Sequence, residues 1–279
     1  MPASRMSFAP MTGLEANSAG ISDDAVLGGR LRLLQPLRGH RFGHDAILLA
    51  AAVAACAGDH VVEFGAGVGA AGLALATRVP NARVTMLEIV PALAELAGRN
   101  IQRNAMADRV AAITADVTQF ATREVGVAGK FGGVTGVMMN PPFNDAGRQT
   151  VSPDPDRARA HSGGRALLDA WIGAAASLLP PRGLLTLIWR ADGVGDVLAA
   201  LEPGFGAIRI LPIHPRPAEP AIRVIVQATH RSATPLALLP GLALNDAAGR
   251  PTAEAEAILR GGQPLTLGQT GTMAAGPTA

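Results

Sequence analysis

Short apolar runs alternate with helix-like runs from residue 60 to residue 229. The apolar runs lie at 60–64, 82–88, 110–115, 133–139, 183–189, 207–212 and 221–229. The helix-like runs lie at 70–78, 91–103, 165–179 and 192–202. Strand–helix alternation favours a mainly parallel sheet with helices on both faces. Because no helix separates the last two strands, they should pair antiparallel. The predicted fold is therefore an α/β sheet of seven mostly parallel strands with one antiparallel strand.

The segment before residue 60 predicts a hairpin followed by a helix. Residues 24–41 contain Gly28-Gly29 as the turn, followed by Arg-Leu-Arg-Leu alternation. Asp45 is predicted to cap a helix from Ala46 to about Ala57, with Cys56 buried in it as a small apolar residue. The predicted organisation is a flexible N-terminus at 1–21, this extension at 22–57, an α/β domain at 58–260 and a disordered tail at 261–279.

Composition restricts the classes of protein that remain. The 279 residues are 48% hydrophobic, enough for one sizeable core. The single cysteine cannot form a disulfide within the chain, and no apolar stretch reaches the roughly 20 residues of a membrane span. The N-terminus lacks a signal pattern, so we expect a cytoplasmic protein. We see no Cys, His and carboxylate cluster with metal-ligand spacing and predict no metal.

The basic residues are almost all arginine. Net charge is only +2, and Lys130 is the sole lysine. Arginine suits bidentate phosphate contacts and stacking on bases better than lysine does. The same bias could reflect genome composition alone, so it does not decide between an RNA partner and none.

A glycine loop follows the first strand of the alternating region, in the sequence Glu63-Phe64-Gly65-Ala66-Gly67-Val68-Gly69. Gly67 to Gly72 matches GxGxxG between a strand and a helix, and Glu88 ends the next strand about 20 residues later. Glycines let the backbone approach a ligand closely, and the acid can accept both ribose hydroxyls. This Rossmann-like arrangement indicates an adenosine-containing cofactor, either NAD or S-adenosylmethionine. The register from Glu63 to Gly69 favours the methyl donor.

Two further acidic residues have both a binding and a structural interpretation. Asp116 follows the third strand and could accept a hydrogen bond from the adenine amino group, or could cap a turn. Glu63 could contact the amino acid moiety of the cofactor, or be a satisfied carboxylate at a strand end.

The tetrad Asn140-Pro141-Pro142-Phe143 follows the fourth strand. The Asn140 side-chain oxygen and the Pro141 carbonyl can each accept one N–H bond from a planar amino group. The prolines fix φ and remove competing donors, and Phe143 offers a stacking face. Such a site presents a conjugated nitrogen to an electrophile. Hydride transfer has no use for it, although Asn-Pro is also a common turn.

These motifs together resemble the class I S-adenosylmethionine-dependent methyltransferases that modify amino groups and carry an Asn-Pro-Pro-Phe/Tyr motif. More narrowly, residues 35–50, the glycine loop and the tetrad with Arg157–His161 are similar to the bacterial tRNA1(Val) adenine-37 N6-methyltransferases. Phe143 stands where many members have Tyr, and the usual lysines are missing. The resemblance implies S-adenosylmethionine as the cofactor, N6 of a tRNA adenine as the acceptor, and a methyltransferase domain at 58–260.

The resemblance also implies the site residues. The expected catalytic residues are Asn140, Pro141, Pro142 and Phe143. The expected cofactor-binding residues are Phe42, Asp45, Glu63, Gly65, Ala66, Gly67, Gly69, Glu88, Ile89, Asp116, Val117 and Asn140. The expected RNA-binding residues are Arg41, Arg148, Arg157 and Arg159, with Arg30, Arg32, Arg38 and Arg165 as further candidates. Each arginine taken singly could equally be a solvated surface charge. We expect His44 and His161 to form hydrogen bonds and not to act as bases.

Other functions remain open at this point. Protein glutamine N5-methyltransferases share the tetrad but usually carry a larger helical domain before the glycine loop. Ribosomal RNA guanine N2 methylation is a second variant. An NAD-dependent oxidoreductase lacks support, because the chain has no tyrosine for a Tyr/Lys dyad. A non-catalytic RNA-binding module is disfavoured because the tetrad and the glycine loop are both intact. The sequence leaves the oligomeric state undetermined.

Overall fold

The computed structural model describes residues 20–38, 41–120, 133–142 and 156–268. The side chains of residues 120 and 156–163 are outside this description. Predictions for residues 1–19, Phe143, Arg148 and 269–279, and for the side chains of Arg157, Arg159 and His161, therefore lie outside the described residues.

The described elements follow the predicted alternation. The N-terminal part contains β1 (Ile21–Val26), a 3-10 turn (Leu27–Gly29), β2 (Leu31–Pro36) and α1 (His44–Ala52). The central part contains β3 (His60–Phe64), α2 (Ala70–Arg78), β4 (Arg83–Glu88), α3 (Pro91–Arg103), β5 (Val110–Thr114), α4 (Val117–Phe120) and β6 (Gly136–Met139). The last part contains α5 (Asp156–Leu178), β7 (Leu184–Arg190), a 3-10 turn (Ala191–Gly193), α6 (Val194–Leu201), β8 (Phe205–His214), β9 (Arg223–His230), β10 (Ala237–Leu238), β11 (Leu242–Ala243) and α7 (Ala253–Leu259).

The main sheet has the strand order β10-β8-β9-β7-β6-β3-β4-β5, with β11 also paired to β8. Strands β3 to β7 run parallel, and β9 runs antiparallel between β7 and β8. The predicted fold class and the single reversed strand are confirmed. Within the described residues the sheet contains nine strands and not seven, because β10 and β11 each add two residues parallel to β8. Strands that short carry no periodic pattern by which the sequence could reveal them.

The sheet separates two hydrophobic cores. On one face, α1, α2 and α7 pack with the hairpin over residues such as Val61 and Ile225. On the other, α5 and α6 pack over residues such as Val62 and Val226. Both tryptophans are buried in this second core. Among the described helices, none combines the length and the hydropathy that a membrane span requires.

Helix α1 is shorter than predicted and has a different cap. It ends at Ala52, and Cys56 is exposed beyond it, so the prediction of a buried helical Cys56 is wrong. Asp59 ends the helical run, because its Oδ2 accepts a bond from Cys56 N at 2.7 Å and fixes a turn before β3. The N-cap is Gly43 and not Asp45, which lies in the first turn and pairs with Arg223.

The predicted boundaries also change further along the chain. Helix α5 begins at Asp156, nine residues before the helix-like run predicted at 165–179. The predicted disordered tail is wrong for residues 261–268. Leu265 and Leu267 are buried there, and Leu265 N donates to the Ala51 carbonyl at 2.8 Å. This segment packs on α1 because its two leucine side chains can be buried there. Its composition, which is otherwise small and polar, does not predict this packing.

Candidate functional site

The carboxyl ends of β3, β4 and β6 meet at one edge of the sheet. Phe64 lies opposite Leu87 on one side and opposite Met139 on the other. Three groups are therefore neighbours there: the glycine loop after β3, Glu88 at the last position of β4 and Asn140 after β6. Ligands of open α/β sheets bind at this edge.

The glycine loop has a backbone that most residues would strain to adopt. Gly65, Gly67 and Gly69 have φ of 67°, 56° and 88°. A Cβ on Gly65 would lie 2.6 Å from the Trp171 ring. The loop is tied to its neighbours by bonds from Ala66 N to the Leu87 carbonyl, at 3.0 Å, and from Gly69 N to the Ala66 carbonyl, at 2.8 Å. The result is a cradle of bare backbone at the start of α2, which suits close approach by a ligand.

Glu88 fixes this cradle from the end of β4. Its Oε2 accepts from Gly67 N at 2.7 Å and its Oε1 from Val90 N at 2.9 Å. A carboxylate has about four acceptor positions, so two bonds leave room for hydroxyl donors from a ribose. Ile89 beside it is 62% exposed and presents an apolar side chain at the surface. This pairing of acceptor and apolar face is consistent with the predicted cofactor contacts.

Glu63 lies beneath the loop and not at its surface. It is only 4% exposed, and its Oε2 accepts from Gly72 N at 2.9 Å. Burial raises the pKa of the Glu63 carboxyl to about 8; the bond from Gly72 opposes this rise and the charge of Glu88 adds to it. The carboxyl is therefore largely protonated at neutral pH and supports the first turn of α2 from inside.

We expect Glu63→Gln to change how stability depends on pH. The raised folded-state pKa stabilises wild type fully below pH 4.5, and this contribution is lost as pH rises towards about 8. Gln keeps an acceptor for Gly72 N and cannot ionise. The variant should therefore gain up to a few kcal/mol relative to wild type as pH rises. Denaturant unfolding between pH 5 and pH 9 measures the difference, and parallel curves for the two proteins would refute this assignment.

Asp116 has the structural role that the sequence left open. Its Oδ1 accepts from Thr118 N at 2.9 Å and from Thr118 Oγ1 at 2.7 Å, which caps the short helix α4. The next residue, Val117, is buried in the second core. Capping does not exhaust the acceptors of the carboxylate, so contact with an adenine amino group stays a prediction.

The segment before α1 is held by side-chain bonds. Phe42 N donates to Gln35 Oε1 at 3.3 Å, and Asp45 pairs with Arg223 at 2.8 Å. Arg41 donates to the Pro36 carbonyl at 2.8 Å and to Asp24 at 3.0 Å. Arg41 is thus already bonded on its own protein, which weakens its case as a free phosphate ligand.

Asn140 is the anomaly of the site. Its Oδ1 is buried and has no hydrogen-bond partner among the described residues. A buried acceptor without a partner costs about 1–3 kcal/mol, so native proteins rarely leave one without a reason. The following Pro141 is buried and Pro142 is exposed. The end of β6 therefore carries a buried acceptor at the position of the tetrad. That this oxygen accepts a hydrogen bond from an amino group stays a prediction.

The remaining candidates are dispersed. Arg165 pairs with Asp169 and Asp196 on the surface of α5 and α6. These ion pairs within the protein weaken its case as an RNA-binding residue. His44 is exposed at the first position of α1. Within the described ranges, no group of three or more His, Cys, Asp and Glu side chains could hold a metal ion.

Two contacts that shape the site escaped sequence analysis. Trp171 closes the underside of Gly65 and meets Phe64 edge to face, with ring centroids 6.2 Å apart. Arg223 holds Asp45 from a strand 178 residues away. Neither pairing leaves a local signal, because both exist only once α5 and β9 pack beside the glycine loop and α1.

Comparison with known proteins agrees with this geometry. The family model described as methyltransferase small domain matches residues 41–211. A tRNA1(Val) (adenine(37)-N6)-methyltransferase of Porphyromonas gingivalis is 31% identical over 161 residues, covering 56% of this chain and 61% of that protein. One of Vibrio campbellii is 25% identical over 184 residues, covering 66% and 73%. The match thus spans less than two thirds of the Porphyromonas relative.

A solved structure extends the likeness beyond the matched segment. The crystal structure of a predicted O-methyltransferase from Agrobacterium tumefaciens is 30% identical, with a TM-score of 0.64. It covers 80% of this chain, and 98% of that chain is matched.

Proposed function

This chain belongs to the methyltransferase small domain family, and from that premise we propose that it methylates the exocyclic N6 amino group of an adenine in tRNA. The observation that carries the proposal is the buried, unpartnered Oδ1 of Asn140 beside the glycine cradle. That oxygen is complementary to an N–H donor. A hydroxyl acceptor, which must lose its proton, would call for a base instead.

The family and the solved structures imply S-adenosylmethionine as the cofactor. The described residues fit it. Gly65, Gly67 and Gly69 have left-handed φ, so the loop presents backbone without these side chains to a ligand. Glu88 keeps free acceptor positions for ribose hydroxyls, and the exposed Ile89 offers a flat apolar contact for the adenine ring.

When bound, S-adenosylmethionine would supply a methyl group from a positively charged sulfur, and S-adenosylhomocysteine would leave as the sulfur–carbon bond breaks. Asn140 Oδ1 and the Pro141 carbonyl would each accept one N–H of the amine, which fixes its orientation. Both oxygens stabilise the positive charge that develops on nitrogen as its bond to carbon forms. The methylated nitrogen then releases a proton to water, and no side chain has to act as a base because that cation is acidic. Positioning by these two acceptors supplies most of the catalysis.

The choice of tRNA rests on the names of the relatives and on the tetrad together. Both relatives named above are tRNA adenine N6-methyltransferases. An adenine in a loop can be splayed away from its neighbours into such a pocket. Protein glutamine, whose amide nitrogen is also planar, is the principal alternative acceptor.

Transfer of labelled methyl groups to unmodified tRNA transcripts tests the proposal, with the product nucleoside identified by mass spectrometry. We expect N6-methyladenosine with wild type and none with Asn140→Ala. Label in a glutamine of protein substrates, or another nucleoside in ribosomal RNA, would move the acceptor to one of the alternatives. Cofactor binding without label in tRNA would overturn the tRNA assignment.

The predicted arginines should determine how tRNA binding responds to salt. Replacing both Arg157 and Arg159 with Ala should weaken binding and reduce the slope of log K against log salt by about 1–2, because each lost phosphate contact removes roughly 0.7–0.9. The matched control is Arg182→Ala, an exposed arginine at the opposite edge of the sheet. Binding titrations between 50 and 200 mM salt, on the order of physiological ionic strength, give both slopes. Equal slopes in the two variants would exclude these arginines from the interface.

A further inference from the structure

Asn100 of α3 and Asn104, the C-cap residue of that helix, cover the outer edge of the hairpin. Leu34 N donates to Asn100 Oδ1 at 2.7 Å, and Asn100 Nδ2 donates to the Leu34 carbonyl at 2.9 Å. One helical turn later, Asn104 makes the same pair of bonds to Arg32 N and its carbonyl, at 3.0 and 2.8 Å. A carboxamide carries the same donor and acceptor as a peptide group. The helix therefore completes β2 as a neighbouring strand would.

Asn100 and Asn104 differ in the acceptor of one Nδ2 hydrogen. In Asn100 it goes to the Val68 carbonyl at 3.0 Å, inside the glycine loop, whereas in Asn104 it goes to the Asn100 carbonyl at 2.8 Å. Asn100 is 0% exposed, and all three hydrogen-bonding positions named here are used. Val68 lies between Gly67 and Gly69, two residues with left-handed φ. The loop is thus held at two adjacent residues: Gly67 N donates to Glu88, and the Val68 carbonyl accepts from Asn100.

The hairpin also holds the other predicted wall of the cofactor site. Gln35 on β2 is 2% exposed, accepts from Phe42 N and donates to Asp24 at 2.5 Å. Strand β2 therefore has a buried bond to the segment before α1, through Gln35, and a buried link to the glycine loop, through Asn100. The β1–β2 hairpin therefore links the segment before α1 to the glycine loop.

We propose that Asn100 is a positioning residue for cofactor binding, which couples docking of the β1–β2 hairpin to the conformation of the glycine loop. The hairpin thereby acts as a brace of the cofactor site. Affinity for the cofactor should depend on the Asn100 bond to Val68. By linkage, bound cofactor must tighten the hairpin by the same factor. The inference rests on the cofactor alone, so it does not depend on which amine is methylated.

Asn100→Ala and Asn104→Ala form a matched pair for the test. Both lose two bonds to β2, and only the first loses the bond to the glycine loop. Titration with S-adenosylhomocysteine, well below the unfolding temperature of each variant, should give a Kd about tenfold higher for Asn100→Ala, the size of one buried hydrogen bond. Asn104→Ala should stay within about twofold of wild type. Equal losses in both variants, or no loss in Asn100→Ala, would overturn the proposal.

Amide exchange in the wild-type protein provides a test that does not need a folded Asn100 variant. Adding S-adenosylhomocysteine should slow exchange of the Arg32 and Leu34 amides at least about threefold, as reciprocal coupling requires. In Asn104→Ala the Leu34 amide should still respond. In Asn100→Ala, where it folds, the Arg32 amide should stop responding. Exchange rates of the Arg32 and Leu34 amides that are unchanged in wild type when S-adenosylhomocysteine is added would contradict the coupling.

Discussion

Replacing Asn140 with Ala should lower kcat at least about 100- to 1000-fold, which is the usual cost of removing a group that stabilises transition-state charge. The Kd for S-adenosylhomocysteine should change by less than about twofold, because the proposed role of Asn140 Oδ1 is to accept from the amine, while the glycine loop and Glu88 make most of the expected cofactor contacts. The free energy of unfolding should stay within about 1 kcal/mol of wild type or rise, since the substitution removes a buried oxygen that has no partner. Steady-state kinetics, calorimetric titration and denaturant unfolding measure the three quantities.

Asn104→Ala provides the opposite pattern as a control. It breaks two bonds to β2, at 3.0 and 2.8 Å, at the C-terminal end of α3. It should lose stability by about 1–2 kcal/mol and keep kcat. If Asn140→Ala instead lost stability and cofactor affinity together, its effect would be misfolding and the catalytic assignment would fail.

Replacing Glu88 with Ala should raise the Kd for S-adenosylhomocysteine at least about 100-fold. Two hydrogen bonds to a charged acceptor are worth about 1.5–3 kcal/mol each, and the glycine loop also loses the bond that holds Gly67 N. Calorimetric titration measures the affinity. Glu95→Ala, which removes an exposed carboxylate from α3, is the matched control and should bind as wild type does.

A double-mutant cycle separates contact with the ligand from support of the loop. S-Adenosylhomocysteine is compared with its 2′-deoxy and 3′-deoxy analogues on wild type and on Glu88→Ala. If Glu88 accepts the ribose hydroxyls, removing a hydroxyl weakens binding to wild type and has little effect on the variant. Equal penalties on both proteins would mean that Glu88 only holds the glycine loop.

The parts predicted well from sequence are those with a repeating or chemically specific local pattern. The strands from β3 to β9 and the helices between them, except α4, follow from apolar runs and their spacing, and the reversed strand follows from the missing helix. The glycine loop, Glu88 and Asn140 were found because strands that run parallel bring their ends to one edge. The comparisons confirm the family to which these motifs point.

The parts predicted poorly depend on contacts between distant segments. Cys56 was placed in a helix because Ala and Val continue past Ala52, but Asp59 captures the chain in a turn. The small, polar composition of residues 261–268 predicts disorder, but Leu265 and Leu267 are buried and Leu265 N bonds to Ala51 of α1. In each case local propensity was a weak term, and tertiary packing outweighed it.

The sequence by itself determined which strand end carries each predicted functional group. The glycine loop follows β3, Glu88 ends β4 as the predicted acceptor for ribose hydroxyls, and Asn140 follows β6 as the predicted acceptor for the amine. Only the tertiary structure decided the environment of each group. It buried Glu63 and so raised its pKa to about 8, it left Asn140 Oδ1 without a partner, and it joined Asn100 to Val68. The physical reason is that burial and hydrogen-bond geometry are properties of neighbours in space, and these neighbours come from segments that are far apart along the chain.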